Sequence, residues 1–268
     1  MNAFIFAAGL GTRLKPLTDT MPKALVPVAG KPLLAHVVEK LKKAGCKKIV
    51  INIHHFGDMI IDYVKSQNNF GIDIVFSDER QMLLETGGAI KHAVDLLGNE
   101  PFLIHNVDIL SNVDIQALWD EHLNSGSAAT LLVSKRSSSR ALLFNEEGYL
   151  TAWTNKTTGE VKTPYENIKI ASLGTLFPLF PSVISTSVIS TSTGSVTALE
   201  EFAFSGIHIF SPSLFKYFSE YPEKFSIIDF YLNTCKEEKI KAFTQEGLQL
   251  LDVGKLDSLE KAEQLVRS

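Results

Sequence analysis

Cysteine is almost missing from this sequence. The two present, Cys46 and Cys235, stand far apart and match no Cys-x-x-Cys or Cys/His metal spacing, which excludes a disulfide-stapled scaffold and a zinc module. Their scarcity fits buried or idle thiols in a reducing compartment, so the cytoplasm is the expected location. Basic residues are also in deficit: 26 Lys plus Arg face 30 Asp plus Glu, for a net charge of -4. Without a global positive field the chain is not expected to hold nucleic acid, and any anion it binds must meet a local cluster of cations. No apolar run approaches the roughly 18 residues of a membrane span. The opening residues MNAFIFAAGLG lack the basic region and long apolar core of a secretory signal and read as a first strand. What is present is ordinary globular material, 45% hydrophobic and 21% charged over 268 residues. That balance excludes a disordered chain, and the length fits one large α/β unit or a domain with an appendage.

Ala3 to Ala8 is a continuous apolar run of the kind buried on both faces of a parallel sheet. Leu34, Val37, Val38 and Leu41 then recur at helical spacing, Gly45 stops that helix, and Lys48 to Ile53 reads as the next strand. The alternation continues through the stripe Ile60, Ile61 and Val64, a strand over Ile72 to Phe76, helical positions Ile90, Ala93, Val94 and Leu97, and a strand over Phe102 to His105. Repeated βαβ units predict an α/β fold with an open, mostly parallel, Rossmann-like sheet, helices on both faces and ligands at its carboxyl edge. From Ser127 onward the pattern turns strand-rich, with strands expected over Ala128 to Ser134, Ala141 to Phe144, Tyr149 to Trp153 and Phe204 to Phe210. A helix over Ser226 to Lys236, a strand over Leu248 to Val253 and a helix over Asp257 to Arg267 close the chain. The stretch Ile170 to Leu199 has no charged residue and is dense in Ser and Thr. Three readings of it stay open: a surface insertion or β-arm, a self-association surface that would make a homo-oligomer, and a lid.

The most informative segment is Phe6 to Leu25, FAAGLGTRLKPLTDTMPKAL. It leaves a buried strand, turns through Gly9 and Gly11, and carries cations at Arg13, Lys15 and Lys23. Glycines let successive backbone N–H groups converge on phosphate oxygens, while Arg13 and Lys23 neutralise the charge those amides cannot. A triphosphate is the natural guest. The segment is not a Walker A loop, because the Gly-Lys pair at Gly30 and Lys31 is followed by Pro32 instead of a hydroxyl residue. A dinucleotide fingerprint needs a third glycine where this chain has Leu14, and Pro16 and Pro22 are expected to keep the segment extended.

Gly9 to Thr18 followed by Pro22 to Leu25 resembles the signature of the sugar-1-phosphate nucleotidyltransferases, G-x-G-T-R-x-x-P-L-T and then P-K-P-L, with Ala24 in place of the second proline. Val26 to Pro32 and Leu84 to Gly88 extend the resemblance to members acting on N-acetylmuramate 1-phosphate with uridylyl transfer and on mannose 1-phosphate with guanylyl transfer. It covers most of the chain except about 169–201. It implies a single nucleotidyltransferase domain over 1–268, with a nucleotide-binding half over 1–126 and a smaller, strand-rich, sugar-binding half over 127–268. It also implies a place in cell-envelope or capsule precursor synthesis. The implied reaction joins a nucleoside triphosphate, UTP or GTP, to a sugar 1-phosphate and releases pyrophosphate with Mg²⁺ as cofactor.

By the same resemblance Gly9, Gly11, Thr12, Arg13 and Lys23 bind the nucleotide, with Glu85 and Gly88 in a base-recognition loop that precedes a helix and offers its backbone amides. Arg13, Lys23 and Asp108 are the implied catalytic residues. Asp108, just beyond a buried strand, and Asp252, at the end of a late strand, are the implied metal carboxylates. Val107 stands where the family has glycine, which requires a backbone there without positive φ. Asn106, Gly206 and Asp252 are implied on the sugar side. Two other functions remain in view: a non-catalytic subunit that senses nucleotide or sugar phosphate, and a glycosyltransferase that uses a nucleotide sugar. The second usually presents Asp-x-Asp, and Asn106-Val107-Asp108 offers one carboxylate.

Overall fold

Strand β1 (Asn2–Phe6) is buried on both faces: Phe4 packs into one core, while Ala3 and Ile5 pack into the other. The computed structural model describes residues 1–165, 169–172, 186–190 and 196–267. After a short ribbon, β2 (Pro27–Val28) and β3 (Lys31–Pro32), come helix α1 (Leu33–Lys43), β4 (Lys48–Ile53), α2 (Gly57–Ser66), β5 (Asp73–Asp78), α3 (Glu85–His92), α4 (Val94–Leu97) and β6 (Phe102–Asn106). Parallel pairing of β1 with β4 and β6, and of β4 with β5, gives the order β5-β4-β1-β6. Leu34, Val37 and Leu41 of α1 join Ile60 and Val64 of α2 on the Ala3 face, whereas Ala89, Ile90 and Leu97 cover the Phe4 face. The predicted parallel sheet with helices on both sides is therefore present. The helix expected around Ile90 to Leu97 is two helices, divided at Ala93.

The chain continues through β7 (Ile109–Ser111), α5 (Ile115–Ser125), β8 (Ala129–Ser134), β9 (Arg140–Phe144), β10 (Leu150–Asn155), β11 (Glu160–Lys162), β12 (Lys169–Ser172), β13 (Thr186–Ser190) and β14 (Val196–Phe210). Among the described residues β8 to β14 bring this sheet to eleven strands, because β14 pairs antiparallel with β6 and carries β8 and β9 on its other contacts, and a later strand beside β8 makes twelve; β7 stays outside it. The strand expected at Phe204 to Phe210 is the end of this 15-residue strand, whose register against β8 shifts between Phe204 and His208. Sequence periodicity also left α5 unmarked; Asp114 caps it by accepting from the Ala117 amide at 3.0 Å. Of the uncharged stretch, β12 and β13 pair with each other and β13 pairs with β14. The insertion, self-association and lid readings fall largely on 173–185 and 191–195, which lie outside the described residues.

Helix α6 (Ile227–Thr234), β15 (Ile240–Phe243), β16 (Leu250–Asp252) and α7 (Asp257–Arg267) complete the fold. Strand β16 does not join the main sheet. It pairs antiparallel with β7, with Asp252 opposite Ile109 and Leu250 opposite Ser111. Both cysteines are free and buried, and burial pushes the thiols up to about 11 for Cys46 and about 12 for Cys235. His105, His122 and His208 are likewise buried, with burial pushing their pKa down to about 4, 4 and 3. Among the described residues no helix is long and apolar enough to cross a membrane.

Candidate active site

At the carboxyl ends of β1, β4 and β6 lies a cavity of about 440 Å³. Its floor is the bend after β1. Gly11 takes φ 63 there, in the left-handed region, and a Cβ at that position would lie 2.9 Å from Thr18 Cγ2 and 3.0 Å from Lys23 Cβ. Only glycine suits both the conformation and the space. Thr18 Oγ1 donates to the Gly11 carbonyl at 2.9 Å, tying the bend to the segment that carries Lys23. That segment is not extended, as the prolines suggested. It folds into three short 3₁₀ turns, Thr12–Leu14, Leu17–Asp19 and Lys23–Leu25, because Pro16 and Pro22 sit just before turns in which their missing N–H costs nothing.

Gly9, Gly11, Thr12 and Arg13 line the cavity from the bend, and Lys23, Asn106 and Asp108 line it from the neighbouring segments. Lys23 is buried, 8% exposed, and its ammonium donates to Asp108 Oδ2. Lys15 points away and pairs with Asp19 on the surface at 2.9 Å. Glu85, at the mouth, holds φ 62 at the start of α3, and Thr86 lines the cavity beside it.

Asp108 and Asp252 come together through the β7–β16 pair: the Val253 amide donates to the Asp108 carbonyl at 2.8 Å. Arg13 reaches the same place. A Cβ on Gly254, another cavity residue, would lie 2.6 Å from Asp252 Oδ1 and 2.9 Å from Arg13 Nη2. Desolvation among these neighbours, and then the Asp108 carboxylate, push the Asp252 carboxyl up from its ordinary value, against the pull of Lys23, Arg13 and Arg136. Val107 lies outside the left-handed region, so its side chain is accommodated without backbone strain. Gly206 sits behind Asn106, its α-carbon so close that a Cβ would lie 2.5 Å from Asn106 Nδ2.

The loop reading of Glu85 to Gly88 needs correcting. These residues are the first turn of α3 instead of a loop before it, and the Gly87 and Gly88 amides donate to the Phe225 carbonyl at 2.9 and 3.2 Å. Those two amides are occupied by protein, and Gly88 faces Glu223, away from this cavity.

Three residues went unmarked in the sequence. Asn52, at the carboxyl end of β4, accepts from the Ala7 and Ala8 amides at 2.7 and 3.2 Å and donates to Glu79 Oε1 at 2.8 Å. Glu79, just past β5, accepts from the Leu84 amide at 3.3 Å. Both are buried, and together they brace the glycine bend against the entry to α3. Burial raises the Glu79 carboxyl above its usual value, while the Asn52 bond opposes that shift. Asn52→Ala leaves two amides and a buried carboxylate short of partners, so it is expected to destabilise the protein by about 3 kcal/mol, measured by urea unfolding. The third residue, Arg136, donates to the Phe204 carbonyl at 3.0 Å and adds a cation near Asp252. Among the described residues no group of three or more His, Cys, Asp or Glu side chains is arranged to hold a metal by itself.

A glycine bend, buried and exposed cations and two converging carboxylates gather at the carboxyl edge of a parallel sheet, where α/β proteins place their ligands. A model of the nucleotidyl transferase family matches residues 2–268, and the chain belongs to that family. It is 44% identical over 122 residues to the N-acetylmuramate alpha-1-phosphate uridylyltransferase of Caulobacter vibrioides, covering 45% of this chain and 47% of that protein. It is 31% identical over 189 residues to the mannose-1-phosphate guanyltransferase of Yarrowia lipolytica, covering 69% of this chain and 50% of that protein. The chain thus spans about half the length of these curated relatives. The structure of HddC from Yersinia pseudotuberculosis, solved with GMP-PN, superposes with a TM-score of 0.68 at 23% identity over 98% of both chains, a likeness of fold.

Proposed function

We propose that the protein transfers a nucleotidyl group from a nucleoside triphosphate, UTP or GTP, to a sugar 1-phosphate. An oxygen of the sugar phosphate forms a bond to the α-phosphorus, the bond from that phosphorus to the bridging oxygen of the β-phosphate breaks, and pyrophosphate leaves. No protein nucleophile is required; catalysis is positioning and charge stabilisation. The observation that carries this reading is the convergence of Arg13, Lys23, Asp108 and Asp252 on one side of the sheet edge.

The amides of the glycine bend and Arg13 are suited to hold the triphosphate, with Lys23 neutralising charge that grows on the departing pyrophosphate. Asn106, backed by Gly206, faces the acceptor. In the same reading residues 1–126 form the nucleotide-binding half and 127–268 the sugar-binding half, with β16 crossing back to deliver Asp252. The donor set suits a hard divalent cation such as Mg²⁺, which takes one or two carboxylates and completes its shell with water and substrate phosphates. Two carboxylates held near each other, one raised by burial and then by the other's charge, are a fitting pair for it. Asp108 and Asp252 would hold the ion, which would draw charge from the phosphate oxygens.

The test is pyrophosphate release, followed through inorganic pyrophosphatase and phosphate detection, over four nucleoside triphosphates and a panel of sugar 1-phosphates with Mg²⁺. Release that needs both substrates, strongest with UTP or GTP, supports the proposal. Folded protein that releases none across the panel overturns it.

A further inference from the structure

A second cleft shares no lining residue with the catalytic cavity. It has a volume of about 690 Å³ and opens between α1, the β7–β16 ribbon and the end of α7. We infer that this cleft is a binding site for a small phosphate-bearing anion. The inference goes beyond the proposed transfer reaction and does not depend on it.

Charge and desolvation both point to an anion. Lys40 and Lys43 supply the charge from one face of α1; His36, on the same face, is bonded through Nε2 to the Val28 carbonyl at 2.8 Å, and Lys31 lines the cleft from β3. Glu39 is the carboxylate among the lining residues, and it is engaged by Lys31 at 2.8 Å. Lys40 is the anomaly. Its ammonium is half-buried and donates to a neutral group, the Ser111 carbonyl, at 2.6 Å. Burial pulls it down to about 8, with the charge of Asp114 as the opposing influence. An ammonium drawn from water in this way gains from an anion placed against it.

A second observation is independent of charge. The Ser111 hydroxyl, on the same wall, is buried and has no hydrogen-bond partner. A phosphate oxygen in the cleft accepts from Lys40, and a turn of the Ser111 side chain about its Cα–Cβ bond brings the orphaned hydroxyl to the same anion. Gln249 lines the adjoining wall, fixed there by its backbone amide donating to Asn112 Oδ1 at 2.8 Å, and its side-chain amide suits the hydroxyls of a phosphate ester. The volume exceeds what inorganic phosphate fills, which favours an ester over the free ion.

Differential scanning fluorimetry of the full chain, at ionic strength matched with sodium chloride, tests the site with two probes: inorganic phosphate and glucose 6-phosphate. Neither is a substrate of the proposed reaction. Each is measured on the wild type, on Lys23→Met to weaken phosphate binding in the catalytic cavity, and on Lys40→Met and Lys43→Glu. The expected result is a rise of about 3 °C at ten times the dissociation constant in both the wild type and Lys23→Met. The rise is lost in Lys40→Met and reduced in Lys43→Glu, whose exposed position leaves the fold untouched. A larger rise with glucose 6-phosphate identifies an ester as the ligand, and a larger rise with inorganic phosphate identifies the free ion. A rise that survives in both cleft variants, that vanishes in Lys23→Met, or that is absent from the wild type overturns the inference.

Discussion

Lys23→Met lowers turnover by roughly 10²–10³-fold, the scale found when one preorganised charge-stabilising donor is removed from an active site. The size of the effect follows from where Lys23 sits. Its side chain is 10% exposed, so its ammonium acts on substrate phosphates through a medium poorer in water than the surface, where a charge is felt more strongly. It is also held in place before substrate arrives, by Asp108 on one side and the 3₁₀ turn Lys23–Leu25 on the other. Methionine keeps nearly the same length and volume, so packing against the glycine bend survives. The carboxylate left behind lines an open cavity and recovers water, which limits the drop in melting temperature to a few degrees. Pyrophosphate release checks the first half of this expectation and fluorimetry the second. Wild-type turnover in Lys23→Met would remove the residue from its proposed role.

The sequence disclosed the parallel half of the fold because its strands are buried on both faces. Such strands read as unbroken apolar runs, and Phe4 facing one core while Ala3 and Ile5 face the other is the physical cause. The glycine bend was legible for a related reason: glycines and prolines record backbone geometry locally. Asn52 and Glu79 are hard to see in the sequence because each looks like an interruption. The clue available was position, since both stand at the carboxyl end of a parallel strand, where ligand edges form. The first turn of α3 is hidden for a different reason. Nothing local to Glu85-Thr86-Gly87-Gly88 announces that its amides will be claimed by Phe225, whose place beside α3 is set by the packing of α6. Arg136 escaped for the same reason, because its nearness to Asp252 depends on the register of β14 against β8.

That contact between α3 and the segment before α6 makes Gly88→Ala the most damaging glycine-to-alanine change expected among the described residues. A Cβ on Gly88 would lie 2.0 Å from the Glu223 carbonyl oxygen, a backbone atom that has no rotamer to escape through. Phe225 presses on the neighbouring glycine, where a Cβ would lie 2.3 Å from its ring. The two segments are joined by the Gly87 and Gly88 bonds to Phe225 and by the Ile227 amide donating to Thr86 Oγ1 at 3.0 Å. Relief of the clash moves them apart and stretches these bonds, along with that of the Phe225 amide to the Leu84 carbonyl at 3.3 Å. Overpacking of a close interface typically costs 1–3 kcal/mol, and with the weakened bonds the total is about 4 kcal/mol. At about 2–4 °C per kcal/mol, the melting temperature falls by roughly 8–16 °C. Because Glu85 and Thr86 line the catalytic cavity from the same turn, KM for the nucleotide rises alongside the loss of stability. A variant with wild-type melting and nucleotide affinity would show that the close approach of α3 to Glu223 is absent in solution.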